Sequence, residues 1–176
     1  VLSDVSANDV DSITVIPHQK THSRGRDVNG GLNWSVFTTT VSPGANNNGA
    51  LLDYATTPSF SLPSGYYSAG IDVAINSPDP NITIYYTVDG SLPDNTSLVY
   101  NSPVNITSTT VLKAVAYSSN SSIPRSFLEY NTYFINDTHT VSILSIAGTD
   151  LGDLLAGSWN LEPQGTVEYF DSNGSL

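Results

Sequence analysis

The chain contains no cysteine and no methionine, and only five of its 176 residues are lysine or arginine, against sixteen aspartates and glutamates. Without cysteine, neither a disulfide framework nor a thiolate metal site can form. Five dispersed basic residues cannot neutralise many phosphates, which argues against binding to nucleic acid. No segment approaches 18 consecutive apolar residues, so the sequence predicts no membrane span.

Catalytic motifs are also absent from the sequence. There is no Gly-x-Ser-x-Gly elbow that would expose a nucleophilic serine, and no glycine-rich segment that would cradle a phosphate. The three glutamates, Glu129, Glu162 and Glu168, show no spacing that marks the opposed carboxylate pair of a glycosidase. The sequence therefore predicts no catalytic residue and no cofactor.

The three histidines offer little for metal binding. His18 and His22 are four residues apart, a spacing that pairs two metal ligands on a helix. Pro17 directly precedes them and no helical periodicity surrounds them, which predicts a loop instead. His139 is distant in the sequence, and we expect no metal site.

Small uncharged polar residues dominate the composition, with 25 serines, 18 threonines and 16 asparagines. Combined with a net charge of −11, this richness is typical of an extracellular or cell-surface bacterial protein, and the acidic surface keeps such a chain soluble. The chain begins Val1-Leu2-Ser3-Asp4, without methionine or an apolar signal segment. We therefore expect either a processed mature protein or a segment of a longer one.

Asn-x-Ser/Thr sequons are mildly enriched, with seven against about four expected from the composition, so N-glycosylation stays open. They begin at Asn33, Asn81, Asn95, Asn105, Asn120, Asn136 and Asn173.

Short alternating segments indicate an all-β chain. They are rich in β-branched and aromatic residues, and they comprise residues 12–16, 34–38, 71–75, 82–88, 110–117, 126–135, 140–146 and 166–170. Their period of two predicts half-buried antiparallel strands with one solvated face, in a β-sandwich. The one helical pattern covers residues 149–156, with Asp150 as the expected cap and Gly157 as the expected stop.

Two candidate domain boundaries, here called seams, divide the chain. Residues 42–49, with the sequence SPGANNNG, predict a linker or a loop that ends a strand, and a softer seam lies near residues 130–132. The intervening stretch is long enough for one small sandwich, whereas the flanks are too short to bury a good core alone. We expect the flanks to pack on the middle module, on each other or on further parts of the polypeptide.

Residues 85–93, with the sequence YYTVDGSLP, form the sharpest local pattern. A strand here ends in an Asp-Gly turn, in which glycine adopts a positive φ and aspartate accepts backbone N–H groups. One interpretation makes Asp89 and Asp94 calcium ligands or Tyr85 a platform for a sugar. The favoured interpretation is a hairpin corner that sets the register of the strands.

The same region carries a family resemblance. Gly65-Tyr66-Tyr67, residues 84–93 and Leu112-Lys113-Ala114 occur in the order found in the C-terminal domain of chitobiases and β-hexosaminidases. Residues 54–131 resemble that domain, a small immunoglobulin-like β-sandwich that recurs in bacterial surface proteins. The resemblance implies an immunoglobulin-like antiparallel fold with additional strand-rich flanking segments. It also implies a module that accompanies catalytic domains and is not itself the catalyst.

Both flanks are similar to known neighbours of this module. Residues 1–50 are similar to the closing part of a bacterial lamin-tail domain, through Ser23-Arg24-Gly25-Arg26, Trp34 and residues 42–46. The earlier strands of that sandwich are missing, and Ser42 and Asn29 replace the usual threonine and aspartate. Residues 132–176 resemble the opening of CotH-like proteins, whose kinase-type catalytic residues would lie further on. The predicted domains are therefore 1–50, 54–131 and 132–176.

Exposed aromatic side chains have two interpretations. Tyr66, Tyr67, Tyr85 or Trp159 would stack on sugars if they lie on the surface. Tyrosines in alternating strands more often pack in the core and reach an edge partner with the hydroxyl group, which is the favoured interpretation.

The sequence thus predicts a non-catalytic spacer or adhesion segment of a large secreted or cell-surface bacterial protein. Its expected partners are neighbouring domains of the same polypeptide, and surface glycans or other cell-surface proteins are further candidates. Two alternatives stay open: an accessory arm of a CotH-like kinase or glycoside hydrolase, and a carbohydrate-binding module.

Overall fold

A computed structural model describes residues 2–3, 5–14, 16–38, 45–157 and 164–172. The chain divides into two compact units, Val1–Leu51 and Leu52–Leu176. Nearly all of the regular secondary structure in the described residues is β-strand, as the alternating segments predict.

The first unit contains two small antiparallel pairs. Their strands are β1 (Leu2–Ser3) with β2 (Asp9–Asp11), and β3 (Ser23–Arg26) with β4 (Trp34–Phe37). Among its described residues, Val36 and Phe37 are the buried apolar ones, and Val36 forms a β-bridge with Leu51. The strand predicted over residues 12–16 is wrong for 12–14 and 16, which are exposed and irregular. Alternation alone does not form a strand when its apolar face is not buried.

The second unit contains eleven strands and one short helix within the described residues. They are β5 (Ser59–Phe60), β6 (Gly65–Tyr67), β7 (Ile71–Val73), β8 (Ile75–Asn76), β9 (Ile82–Thr87), β10 (Leu98–Val99), β11 (Val104–Ile106), β12 (Thr110–Ser118), β13 (Glu129–Ile135), β14 (Ile143–Gly148), α1 (Leu151–Leu155) and β15 (Gly165–Phe170).

Two layers form the predicted sandwich. One is a five-stranded sheet in the order β10-β9-β12-β13-β6, antiparallel except for the parallel pair of β13 and β6. The other comprises the antiparallel pairs β5–β8 and β7–β11. Apolar side chains from both layers share one core, made of Val73, Ile75, Val104, Ile106, Leu112, Ala114, Tyr133 and Ile135. The immunoglobulin-like sandwich class is confirmed.

The antiparallel pair β14–β15, here called the docked hairpin, lies on the other side of the five-stranded sheet. We call the side of that sheet that it contacts the outward face. The expectation of one solvated face per strand is wrong for β12, because Lys113 and Val115 of the outward face are buried as fully as Leu112 and Ala114 of the core face. Lys113 is buried because the docked hairpin lies over it.

Strand β13 begins later than predicted. Ser126 is buried, and its hydroxyl accepts a hydrogen bond from the Ala116 N–H and donates one to the Phe127 carbonyl. These bonds fix residues 126–128 outside the paired part of β13. The predicted boundary between residues 131 and 132 falls inside this strand. The threefold division of the chain stays a prediction.

Helix α1 confirms the predicted helical segment and the position of its cap. Asp150 is the N-cap residue, but it adopts a left-handed conformation with φ of 60° and makes no side-chain capping bond. Its carbonyl instead accepts the Leu154 N–H, and Gly157 ends the turn with φ of 95°. No helix in the described part of the chain is long and apolar enough to cross a membrane.

Candidate functional site

The centre of the outward face holds a buried lysine. Lys113 lies in the middle of β12, has no exposed surface, and its Nζ donates a 2.9 Å hydrogen bond to the Ala147 carbonyl of β14. Burial lowers the pKa of Lys113 to about 8, and the negative charge of Asp89 opposes this shift. Gly90 also packs here, because a Cβ on it would lie 3.1 Å from the Ala147 Cβ. The docked hairpin thus packs on the Asp-Gly turn and on Lys113.

A buried carboxylate connects the docked hairpin to β13 and to the segment before β6. Glu168 of β15 points inward, where Ser64 Oγ donates a short hydrogen bond to its Oε1 and Thr132 Oγ1 donates one of 2.6 Å to its Oε2. Ser145 Oγ lies 2.7 Å from Thr132 Oγ1. Since the threonine proton is used on Glu168, Ser145 is the donor in that contact. The network joins β13 and the segment before β6 to both strands of the docked hairpin.

Aromatic rings pack against the other end of the docked hairpin. Phe170 of β15 is fully buried and meets the Phe134 ring edge-on, with centroids 5.1 Å apart. Tyr66 stacks on Phe134 at 4.6 Å and 16°, and His139 contacts both rings edge-on. Burial and the charge of Asp137 raise the pKa of Tyr66.

The outer side of the docked hairpin is apolar. Leu144 lies opposite Tyr169 and Ile146 opposite Val167, and all four side chains are about half exposed. The inner side carries polar residues, Glu168 and Ser145, as well as the buried Phe170, whereas these four apolar residues face solvent. None of the outer side chains is charged, although the chain has a net charge of −11.

Asp89 and Asp94, the candidate calcium ligands, close separate turns. Asp89 accepts hydrogen bonds from the N–H and hydroxyl of Ser91, and these bonds, together with the nearby Lys113 charge, lower its pKa. Asp94 accepts the N–H and hydroxyl of Thr96, which lowers its pKa in the same way. The geometry is that of the favoured hairpin-corner interpretation.

The structure separates the candidate sugar-stacking tyrosines. Tyr67 points toward the core, where it packs near Tyr133 and donates to the Pro63 carbonyl. Tyr66, one residue earlier, points to the outward face. Tyr85 contacts Tyr117 edge-on at 5.5 Å, on the same face but at the other end of the sheet. Trp159 lies outside the described residues.

The remaining candidate residues, the histidines and glutamates, do not form a common site among the described residues. His18 and His22 lie in the first unit on a segment without helix, as predicted. Glu129 is half-buried, and burial followed by the charge of Glu168 raises its pKa. Glu162 lies outside the described residues. Among the residues that the structure describes, no group of three or more His, Asp or Glu side chains is placed to hold a metal ion.

Sequence reasoning missed the importance of Lys113 and Glu168. One signal was present: each is a lone charge inside an alternating strand whose neighbours are apolar or aromatic. Such a charge is buried only when a partner compensates it. What the pattern lacks is the identity of the partner, since Ser64 and Glu168 are 104 positions apart.

Glu168→Gln is expected to lower the free energy of unfolding of the second unit by about 1–2 kcal/mol, because one of two charge-assisted hydrogen bonds is lost or weakened. Urea denaturation of the full chain measures this effect. In a double-mutant cycle with Ser64→Ala, we expect a coupling energy of about 1 kcal/mol. Strictly additive effects would show that the two side chains do not interact.

Comparison with known proteins bears on the central part of the chain. A search of curated proteins and a search of solved structures found no match. Residues 62–126 match the family model of the chitobiase/beta-hexosaminidase C-terminal domain. The match runs from the loop before β6 to the loop before β13, so β13 and the docked hairpin lie outside it. Over these residues the chain is therefore similar to a domain that is non-catalytic in hexosaminidases.

Proposed function

We propose that this chain is a non-catalytic structural segment of a larger secreted or cell-surface bacterial protein. In this proposal the central sandwich is a spacer, and the docked hairpin fixes the direction in which the polypeptide leaves it. The observation that carries the proposal is the attachment of the docked hairpin by Lys113, Glu168 and Phe170. Three buried contacts along one hairpin hold it at a fixed angle to the sheet.

The apolar outer side of the docked hairpin supports the same proposal. A neighbouring domain of the same polypeptide is the occupant that we propose for it. Four half-exposed apolar side chains form a small area, continuous with the docked inner side. A small contact suits a tethered neighbour, because covalent linkage supplies a high effective concentration and removes most of the association cost. Lamin-tail-like and CotH-like flanks, which the sequence predicts, are the neighbours that belong to this proposal.

The accessory-arm alternative shares this architecture and differs only in what the neighbour does. A CotH-like kinase or a glycoside hydrolase would use the same spacer to position its catalytic domain. Sequence beyond residue 176 of the source polypeptide distinguishes the two: kinase-type catalytic residues support the arm, and further sandwiches support adhesion.

Hydrogen exchange tests the proposed junction. We expect the amides of β14 and β15 in the 176-residue chain to exchange far more slowly than those of an unstructured peptide, because buried contacts hold the docked hairpin against the sheet. In the source polypeptide, whose intact mass is expected to be far above 18.7 kDa, we expect Leu144→Ser with Val167→Ser to lower the free energy of unfolding. The same pair of substitutions in the 176-residue chain is the control and is expected to have little effect.

Two results would contradict the proposal. One is exchange of β14 and β15 near the rate of an unstructured peptide, which would mean that the docked hairpin does not fix a direction. The other is a source polypeptide of the same mass as this chain.

A further inference from the structure

Tyr66 presents one ring face at the edge of the five-stranded sheet. Among the strands that the structure describes, β6 is the last of that sheet and pairs with β13 alone. Phe134 of β13 covers one face of the Tyr66 ring, and Phe170 and His139 meet it edge-on. The opposite face therefore points away from the sheet. Three packed rings hold the tyrosine in place, so little side-chain entropy is lost when a ligand stacks on it.

A shallow and mostly apolar groove adjoins this ring. It is lined by Tyr66, Tyr67, Ser68, Asn136, Asp137 and Thr138. Asn136 continues the pairing of β13 with β6, because its N–H donates to the Tyr67 carbonyl at 2.8 Å, and its φ of 52° then turns the chain back toward the sheet. The turn places hydroxyl, amide and carboxylate groups beside the aromatic ring.

The groove has the chemistry of a site for a hydroxyl-rich ring. Aromatic faces are apolar and carry a negative quadrupole, which suits the C–H face of a pyranose, and a few convergent polar groups then orient its hydroxyls. The Asp137 Oδ2 atom lies 3.3 Å from His139 Nε2. Its other carboxylate oxygen is therefore the acceptor for a ligand hydroxyl. The net charge of −11 disfavours anionic sugars.

We propose that the groove between Tyr66 and Asn136–Thr138 binds one neutral pyranose unit of a glycan, with Tyr66 as the stacking platform. The proposal goes beyond the spacer function and does not depend on it. A single ring with few polar contacts gives weak binding, with a Kd of about 1 mM. An array of such segments on a surface would reach useful strength through multivalency.

A titration of the full chain followed by amide NMR signals tests the site. The probes are neutral hexasaccharides of glucose, mannose, xylose and N-acetylglucosamine, each raised to about 10 mM. We expect at least one probe to shift the amides of Ser68, Asn136 and Thr138. Tyr66→Ala is expected to weaken that binding by at least about tenfold. Tyr85→Ala, at the other end of the same face, is the matched control and is expected to leave it unchanged.

A second variant keeps the test independent of folding. Asn136→Gly tolerates the positive φ and removes only the side-chain amide, so it is expected to fold normally and to bind about threefold or more weakly. The proposal is overturned if no hexasaccharide shifts these amides, or if Tyr66→Ala binds as well as the original chain. It is also overturned if tetramethylammonium shifts them more strongly than every sugar, because the groove would then be a cation site.

Discussion

Phe170→Ala is expected to detach the docked hairpin from the sandwich, because it lowers the free energy of opening of the docked hairpin by about 3–5 kcal/mol. Phe170 is fully buried against Phe134 and Tyr66, and its removal leaves a cavity where three aromatic rings meet. We expect hydrogen exchange in β14 and β15 to accelerate strongly. The amides of β9 and β12 are expected to retain slow exchange, because the core between the two sandwich layers is unchanged.

Tyr169→Ala is the matched control for this prediction. Tyr169 is the preceding residue of the same strand but points to the outer side and is 57% exposed. Its replacement is expected to cost less than about 1 kcal/mol. Equal effects of the two substitutions would contradict the assignment of the inner and outer sides of the docked hairpin.

The stability of the second unit is expected to rise between about pH 7.5 and pH 9.5. The pKa of Lys113 is about 8 in the folded chain, against an ordinary value of 10.5 in the unfolded chain. Between these values the unfolded chain binds more protons than the folded chain, so the free energy of unfolding increases with pH. At 1.36 kcal/mol for each pKa unit, the rise over this interval is about 2 kcal/mol.

Lys113→Met is expected to abolish this alkaline rise, because it removes the group that titrates. The Ala147 carbonyl keeps the Thr166 hydroxyl as a donor in this variant. Urea unfolding followed by the NMR signals of β9 and β12 measures the effect at each pH. Lys20→Met, which replaces the other lysine, in the first unit, is the control and is expected to retain the rise. A flat profile in the original chain would contradict the buried position of the Lys113 amine.

Above about pH 10 the profile is expected to turn downward. Burial raises the pKa of Tyr133 to about 12, so the folded chain resists ionisation of a phenol that the unfolded chain permits. The unfolded chain then binds fewer protons, and stability falls as the pH rises between 10 and 12.

The strands of the sandwich were predictable because their pattern is local. Residues 82–88 and 110–117 alternate with β-branched and aromatic side chains, and they form β9 and β12 with an offset of one residue. The Asp-Gly turn was equally local, since Asp89 bonds to Ser91 two positions on. The shortest strands, such as β10, carry too few residues to establish a period.

The covering of the outward face was not predictable, because it depends on distant parts of the chain. A lysine in an alternating strand normally marks the solvated face, and Lys113 suggested that. Only contact with Ala147, 34 positions later, explains its burial. The separation of Tyr66 from Tyr67 follows from the period of two, but which of them faces the core depends on how β6 pairs with β13.

The wide sequence separation between Glu168 and Ser64 also sets an order of events during synthesis. The carboxylate needs Ser64 and Thr132 already held in place, and these belong to a sandwich whose strands are complete by residue 135. Strand β15 leaves the ribosome only afterwards. Its contacts close long loops, and the conformational entropy that this closure costs is lost late in folding. The docked hairpin therefore closes last over a sandwich that has already folded, and Lys113 is exposed to water until that moment.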